Sequence, residues 1–148
     1  MEPRNPDWKA RCEASFHKQA VMGTLGVSVA ALTPGRVTLE MPFRADLTQQ
    51  HGFLHACVVT TVLDSACGYA AFTLMPDEAE VLTVEFKSNF LAPARGDTFR
   101  FVGEVVKAGR TLMVTRGDAF AVRDGQQVAV STMQATMMVV TGRADVAR

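Results

Sequence analysis

A single carboxylate, Asp64, stands in the middle of an almost wholly apolar stretch, residues 55–75, and the loop before it, Gln49-Gln50-His51-Gly52-Phe53-Leu54-His55, is dense in hydrogen-bonding groups. A lone carboxylate among apolar neighbours is costly unless it is paired or faces a cleft. A polar loop entering a helix presents backbone N–H groups to a developing negative charge. The two features do not meet within one chain, because Ala56 and Asp64 are eight residues apart, roughly 12 Å along a helix axis. A two-fold dimer with antiparallel central helices would bring them together.

Other reactive side chains offer less. His51, His55, Cys57 and Cys67 match no standard zinc spacing, and adjacent helical positions diverge in direction. Neither Cys57 nor Cys67 has a base placed by the sequence to make it a thiolate, so both read as small core residues. Thr83 and Glu85 read, on alternation alone, as solvent-facing positions of a strand.

Composition narrows the setting. At 148 residues, 48% hydrophobic and 20% charged, the chain is expected to form one domain, 1–148, with ample core material. Fifteen basic side chains cancel fifteen acidic ones, leaving no long-range field to recruit nucleic acid or an anionic membrane. Any anionic ligand is then held by local groups. Three cysteines in helix-like contexts suit a reducing cytoplasm better than a disulfide scaffold. The polar N-terminus around Trp8 lacks the apolar core of an export signal, and Asp64 with Thr60, Thr61 and Ser65 argues against a membrane span.

The elements that must position Asp64 follow from periodicity. Asn5-Pro6-Asp7 reads as a turn and N-cap, and Trp8, Cys12, Phe16 and Ala20 line one face of an N-terminal helix within residues 1–22, a lid or edge element. Residues 25–32 and 36–43 read as strands joined by the Thr33-Pro34-Gly35 turn. The apolar stretch is Ala-rich and ends at Pro76, which favours a long buried helix. Four alternating runs follow, 81–91, 98–107, 111–122 and 127–140, separated by Pro93-Ala94-Arg95-Gly96, Ala108-Gly109-Arg110 and Asp124-Gly125. Residues 141–148 read as a frayed end. No crossover helices separate the later strands, so the expected fold is α+β, an antiparallel sheet of about six meandering strands wrapped around one central helix.

The loop 49–57, Asp64 nine residues after His55, and Leu82-Thr83-Val84-Glu85-Phe86-Lys87 leading to Leu91-Ala92-Pro93-Ala94 together resemble the PaaI-like branch of the hotdog-fold acyl-CoA thioesterases. The similarity runs over roughly residues 25–140. It implies a homodimer, often paired into a homotetramer, that hydrolyses an acyl-CoA to a free acid and coenzyme A, with coenzyme A as part of the substrate and no separate cofactor. An aryl- or medium-chain acyl group is the expected substrate.

Carried over by position, the resemblance makes Asp64 the catalytic carboxylate, either a general base on water or a nucleophile through an anhydride. The Ala56 N–H would polarise the thioester carbonyl across the dimer interface. Gln49 would help to hold the carbonyl or the water, Gly52 would give the loop its tight course, His55 would brace it, and Thr83 would place a hydroxyl near the attacking water. Where the family usually has His-Gly-Gly, this chain has His55-Ala56-Cys57, which keeps the N–H donor but adds side chains that narrow the approach. For the coenzyme A phosphates the candidates are Lys107, Arg110 and Arg95, beside turns. Two other readings stand beside this one: a hydratase or dehydratase acting on an acyl thioester, whose motifs are not matched, and a non-catalytic acyl-CoA or lipid-binding module in which Asp64 merely pairs.

Overall fold

The apolar stretch folds as a helix because its N-terminus is capped, its interior is Ala-rich and its exit is satisfied. In the computed structural model, which describes residues 1–143 and 145, the helix α3 spans Ala56–Phe72. His55 is its N-cap, with its ring Nδ1 accepting the Cys57 N–H at 3.0 Å. At the far end Thr73 Oγ1 donates to the Ala70 carbonyl and accepts the Gly35 N–H, both at 2.7 Å, before Pro76 ends the segment.

Six strands curl around α3: β1 (Ser28–Thr33), β2 (Arg36–Pro42), β3 (Ala79–Phe90), β4 (Thr98–Ala108), β5 (Leu112–Arg123) and β6 (Gln126–Thr141). They form one antiparallel sheet in the order β1-β2-β4-β5-β6-β3. The hotdog plan of a sheet around a helix is therefore present. The expected meander of all four later strands is corrected: only β4, β5 and β6 follow one another, while β3 crosses to the far edge and pairs with β6. α3 lies across the sheet between β2 and β3, so β2 and β4 close against each other behind it.

Close approach of helix and sheet requires two glycines. A side chain at Gly103 on β4 would collide with the backbone of Ala66, and one at Gly117 on β5 would stand 2.8 Å from Cys67 Sγ. With both positions bare, Leu63, Ala66, Cys67 and Ala70 pack on Leu39, Phe101, Met113 and Met133 in a fully buried core. Asp64, one residue along from Leu63, is thereby turned away from the core toward β3.

The N-terminal segment is two helices rather than one, α1 (Trp8–Lys18) and α2 (Ala20–Leu25), broken at Gln19, whose backbone is extended. Cys12 and Phe16 are buried as the periodicity predicts, but the break leaves Ala20 exposed. Asp7 makes no side-chain cap; instead Asn5 Oδ1 accepts the Asp7 N–H at 2.8 Å. Leu25, expected to start a strand, ends α2, because Met22 and Leu25 bury one helical face and Gly26 then takes the left-handed turn at φ 72°. The expected frayed end lies partly outside the described residues, with β6 continuing to Thr141.

The edge strand β3 is long, and it is bare where edges are usually protected. Leu82, Val84, Phe86 and Phe90 are 47%, 51%, 44% and 51% exposed. An apolar edge of that length is a surface for pairing with another chain.

Candidate active site

The loop that enters α3 is a tight turn held by its own backbone. The Gln49 N–H donates to the Phe53 carbonyl at 2.9 Å, the Gly52 N–H to the Gln49 carbonyl at 3.0 Å, and the His55 N–H to the Leu47 carbonyl at 2.9 Å. Gly52 sits at φ 80°, which only glycine adopts freely, so it carries the bend. The Gln49 side-chain oxygen accepts the His51 N–H, which fixes the amide, and Gln49 lines the neighbouring cleft.

The helix N-terminus has one donor left over. Its first-turn N–H groups at Cys57, Val58 and Val59 are taken by the His55 ring nitrogen and the His55 carbonyl. Among the described residues, the Ala56 N–H has no such partner. Ala56 and Gln49 open together on a cleft of about 430 Å³ walled by Phe53, Leu54, Val59 and Phe90. A carbonyl oxygen gaining negative charge would find there a free N–H at the positive end of a helix.

Asp64 opens on a different cavity, of about 170 Å³, between α3, β3 and the N-terminal helices. Thr83 Oγ1 donates to Asp64 Oδ1 at 2.8 Å. A bulge in the pairing of β3 with β6, between Thr83 and Glu85, breaks the alternation at the position beside Thr83. Burial pushes the Asp64 carboxyl above the usual carboxylate range, and the Thr83 hydrogen bond opposes that rise. The strand-face reading of Thr83 therefore gives way to a contact with the carboxylate.

The structure brings Asp64 to Thr83, and Gln49, Gly52, His55 and Ala56 to one another, but places the two groups in separate cavities of the chain. Arg95 lies at the Ala56 end, its guanidinium 5.3 Å from the centre of the Phe53 ring. Lys107 and Arg110 do not join it. Their hairpin sits at the opposite end of the sheet, where Val105 bonds to Gly35 and the Arg4 guanidinium reaches Gly109. Cys57 is exposed, against its reading as a core residue, because it occupies the outer side of the capped first turn. Cys67 is buried, and burial raises its thiol to about 12, so it is no thiolate.

Sequence reasoning missed Ser15, Gln19, Ser65 and Tyr69, which line the Asp64 cavity. Ser65 Oγ donates to Gln19 Oε1 at 3.0 Å, and the Ser15 and Tyr69 hydroxyls lie 3.1 Å apart. The available signal was the matched four-residue spacing of two polar side chains on each helix.

Comparison with known proteins identifies the family and the fold. The family model of the thioesterase superfamily matches residues 51–128, which include the loop's end, Asp64 and Thr83. A candidate esterase of Saccharolobus solfataricus is 34% identical over 90 residues, 61% of this chain and 64% of that protein, so the match spans just under two thirds of the relative's length. The crystal structure of a thioesterase family protein from Silicibacter pomeroyi superposes with a TM-score of 0.90 at 58% identity, covering 91% of this chain and 99% of that one. The E. coli PaaI protein of the phenylacetic acid degradation operon shares the fold, with a TM-score of 0.82 at 19% identity over 94% of this chain and 97% of its own. By the family match and by the hotdog sheet around a helix bearing Asp64, this chain belongs to the thioesterase superfamily of hydrolases.

Proposed function

We propose that the protein is an acyl-CoA thioesterase acting on aryl- or medium-chain acyl groups, with two composite sites in a homodimer. The observation that carries this is the unpartnered Ala56 N–H in one cavity and the half-buried Asp64 in another, beside a bare β3 edge. Pairing of two β3 edges about a two-fold axis sets the helices antiparallel, so Asp64 of one copy faces Ala56 of the other. The same pairing carries the Lys107 and Arg110 hairpin of one copy toward the loop end of its partner, where Arg95 sits, as candidates for the coenzyme A phosphates. Two such dimers would make a homotetramer. Free thiols at Cys12, Cys57 and Cys67 suit a cytoplasmic setting.

In the general-base course, the Asp64 carboxylate takes a proton from water as the water oxygen bonds to the thioester carbon. The carbonyl oxygen becomes an oxyanion held by the Ala56 N–H and the Gln49 amide. Collapse re-forms the C=O and breaks the C–S bond, and the sulfur leaves with the proton as coenzyme A thiol beside the free acid. In the nucleophilic course, Asp64 bonds to the carbon, coenzyme A departs, and water cleaves the resulting anhydride. Thr83 orients the carboxylate in both. After a single turnover in H₂¹⁸O, label found in Asp64 identifies the nucleophilic course, since only water attacking the anhydride at the Asp64 carboxyl carbon leaves it there.

The test is thiol release from a panel of aryl and straight-chain acyl-CoAs. The wild type is expected to release thiol, and Asp64→Asn to lose roughly 10²–10⁴-fold of that rate. Tight binding of acyl-CoA with no thiol release from any member would instead establish a non-catalytic binding module.

A further inference from the structure

Arg11 on α1 puts a charge where an apolar side chain would pack as well. Its guanidinium carbon lies 4.1 Å from the centre of the Phe72 ring, and Nη1 donates to the Pro76 carbonyl at 2.7 Å. The other terminal nitrogen, Nη2, is buried with no hydrogen-bond partner. Glu80 Oε1 stands 4.0 Å from it, close enough to attract and too far to bond. A buried donor left short of its acceptor is costly. Docking of α1 does not explain that cost, because three other contacts hold the helix. Asn5 Nδ2 donates to Asp77 Oδ1 at 2.9 Å, the Ser15 and Tyr69 hydroxyls meet, and Ser65 Oγ donates to Gln19 Oε1.

What the Arg11 charge faces is the second acid of the Asp64 cavity. Glu80 begins β3, three residues before Thr83, and lines the same space of about 170 Å³ as Asp64. Two carboxylates in so small a cavity hinder each other's ionisation. The other titratable groups near Asp64 are the Tyr69 and Cys67 side chains of α3, both pushed up by burial and so neutral. The β6 residues paired with this part of β3, and all of α2, carry no titratable side chain. On α1, Glu13 and His17 open instead on a separate cleft toward β1. Arg11 is thus the cation placed to act on Glu80. Where Glu80 now stands, burial and the Thr83 hydroxyl are the causes acting on Asp64.

We propose that Arg11 is a positioning residue for hydrolysis: from the far side of Glu80 it draws that carboxylate out of the shared cavity and leaves Asp64 as the only acid at the reacting atoms. The inference rests on the thioesterase reading of Asp64. With the guanidinium gone, Glu80 loses its counter-charge and its hold, and its side chain, 35% exposed, is free to turn toward Asp64. The like charge then disfavours the ionised Asp64 that removes a proton from water or attacks the thioester.

Two substitutions, each alone and with Glu80→Gln, decide it. Arg11→Gln removes the charge but keeps a donor for the Pro76 carbonyl, and Arg11→Met keeps an apolar cover on Phe72. Two readouts are compared: the acid limb of kcat/KM for thiol release from benzoyl-CoA, and the titration midpoint of the Asp64 carboxyl carbon by ¹³C NMR, assigned against Asp64→Asn. Each Arg11 change alone is expected to move limb and midpoint to higher pH by about 0.5 or more, and added Glu80→Gln to bring both back to the wild-type position. A merely structural role for Arg11 would leave the double variants as displaced as the single ones. A midpoint that stays in place in a folded single variant, or a rise that persists once Glu80 is replaced, overturns the inference. A wild type that releases no thiol from any acyl-CoA overturns the thioesterase reading instead, and the NMR midpoints then judge the role of Arg11 alone.

Discussion

The Thr83 hydroxyl, 2.8 Å from Asp64 Oδ1, stabilises the ionised form of a carboxylate that burial drives the other way. Activity that needs the ionised form should therefore fall on the acid side at a pH above the ordinary carboxylate range, near 4. Thr83→Val removes the opposing hydrogen bond, so the acid limb of kcat/KM should move to still higher pH, with a loss of about tenfold at neutral pH. A variant whose acid limb stays in place would show that Thr83 does not act on Asp64.

The same burial has a stability consequence. The folded-state pKa of Asp64 is raised above its unfolded value, so the folded protein holds the proton more tightly. Below the unfolded value both states are protonated and nothing is lost; as pH rises through the folded value, the cost of a buried charge appears in full. Asp64→Asn carries no charge and can keep the Thr83 hydrogen bond. Its melting temperature should exceed that of the wild type at pH 7, and the difference should shrink on acidification toward pH 4, measured by calorimetry.

Local chemistry wrote Asp64, its loop and α3 into the sequence, because an Ala-rich run with one carboxylate and a capped start can be read residue by residue. The place of β3 could not be read that way. Strand pairing is decided by side chains far apart in sequence, and β3 meets β6 more than forty residues on, as in the pairing of Phe86 with Ala135. The break at Gln19 was hidden for a related reason: its extended backbone is supported by Ser65 in a different element, while the local pattern from Trp8 to Ala20 favoured one continuous helix. Lys107 and Arg110 were legible as charges beside a turn, but their distance from Ala56 follows from strand order.

Gly103 is a prediction about what sets the height of α3 over the sheet. An added methyl group would strike the Ala66 backbone, and neither β4 in mid-sheet nor α3 in mid-core can yield cheaply. Gly103→Ala should destabilise the fold by about 3 kcal/mol in urea denaturation. Gly68→Ala, on the same helix, should instead stabilise by up to about 1 kcal/mol, since its methyl meets nothing.

Assembly is predicted to fail if the β3 edge is charged. Val84 is 51% exposed at the middle of the bare strand, so Val84→Lys should leave the monomer's core untouched while blocking edge pairing. Sedimentation velocity should show the shift to monomer, circular dichroism an unchanged fold, and thiol release a loss of at least about 10²-fold, since each half-site then lacks its partner. A monomer that retained full activity would refute the composite site.

The sharpest test of shared sites uses two inactive variants together. Ala56 is the first helical residue, where proline is well tolerated, and His55 before it is already extended at φ −64° and ψ 139°, as a residue preceding proline must be. Ala56→Pro should therefore fold while lacking the one N–H that the site needs, at a cost of about 10²–10³-fold in turnover. Mixed with Asp64→Asn and allowed to exchange subunits, it should recover activity. In each mixed dimer one site combines both defects, and the other combines an intact Asp64 with an intact Ala56. Random exchange of equal amounts makes half the dimers mixed, so thiol release should return to about a quarter of the wild-type level. No recovery, with exchange verified by differently tagged subunits, would mean that Asp64 and the Ala56 N–H act within one chain or not together at all.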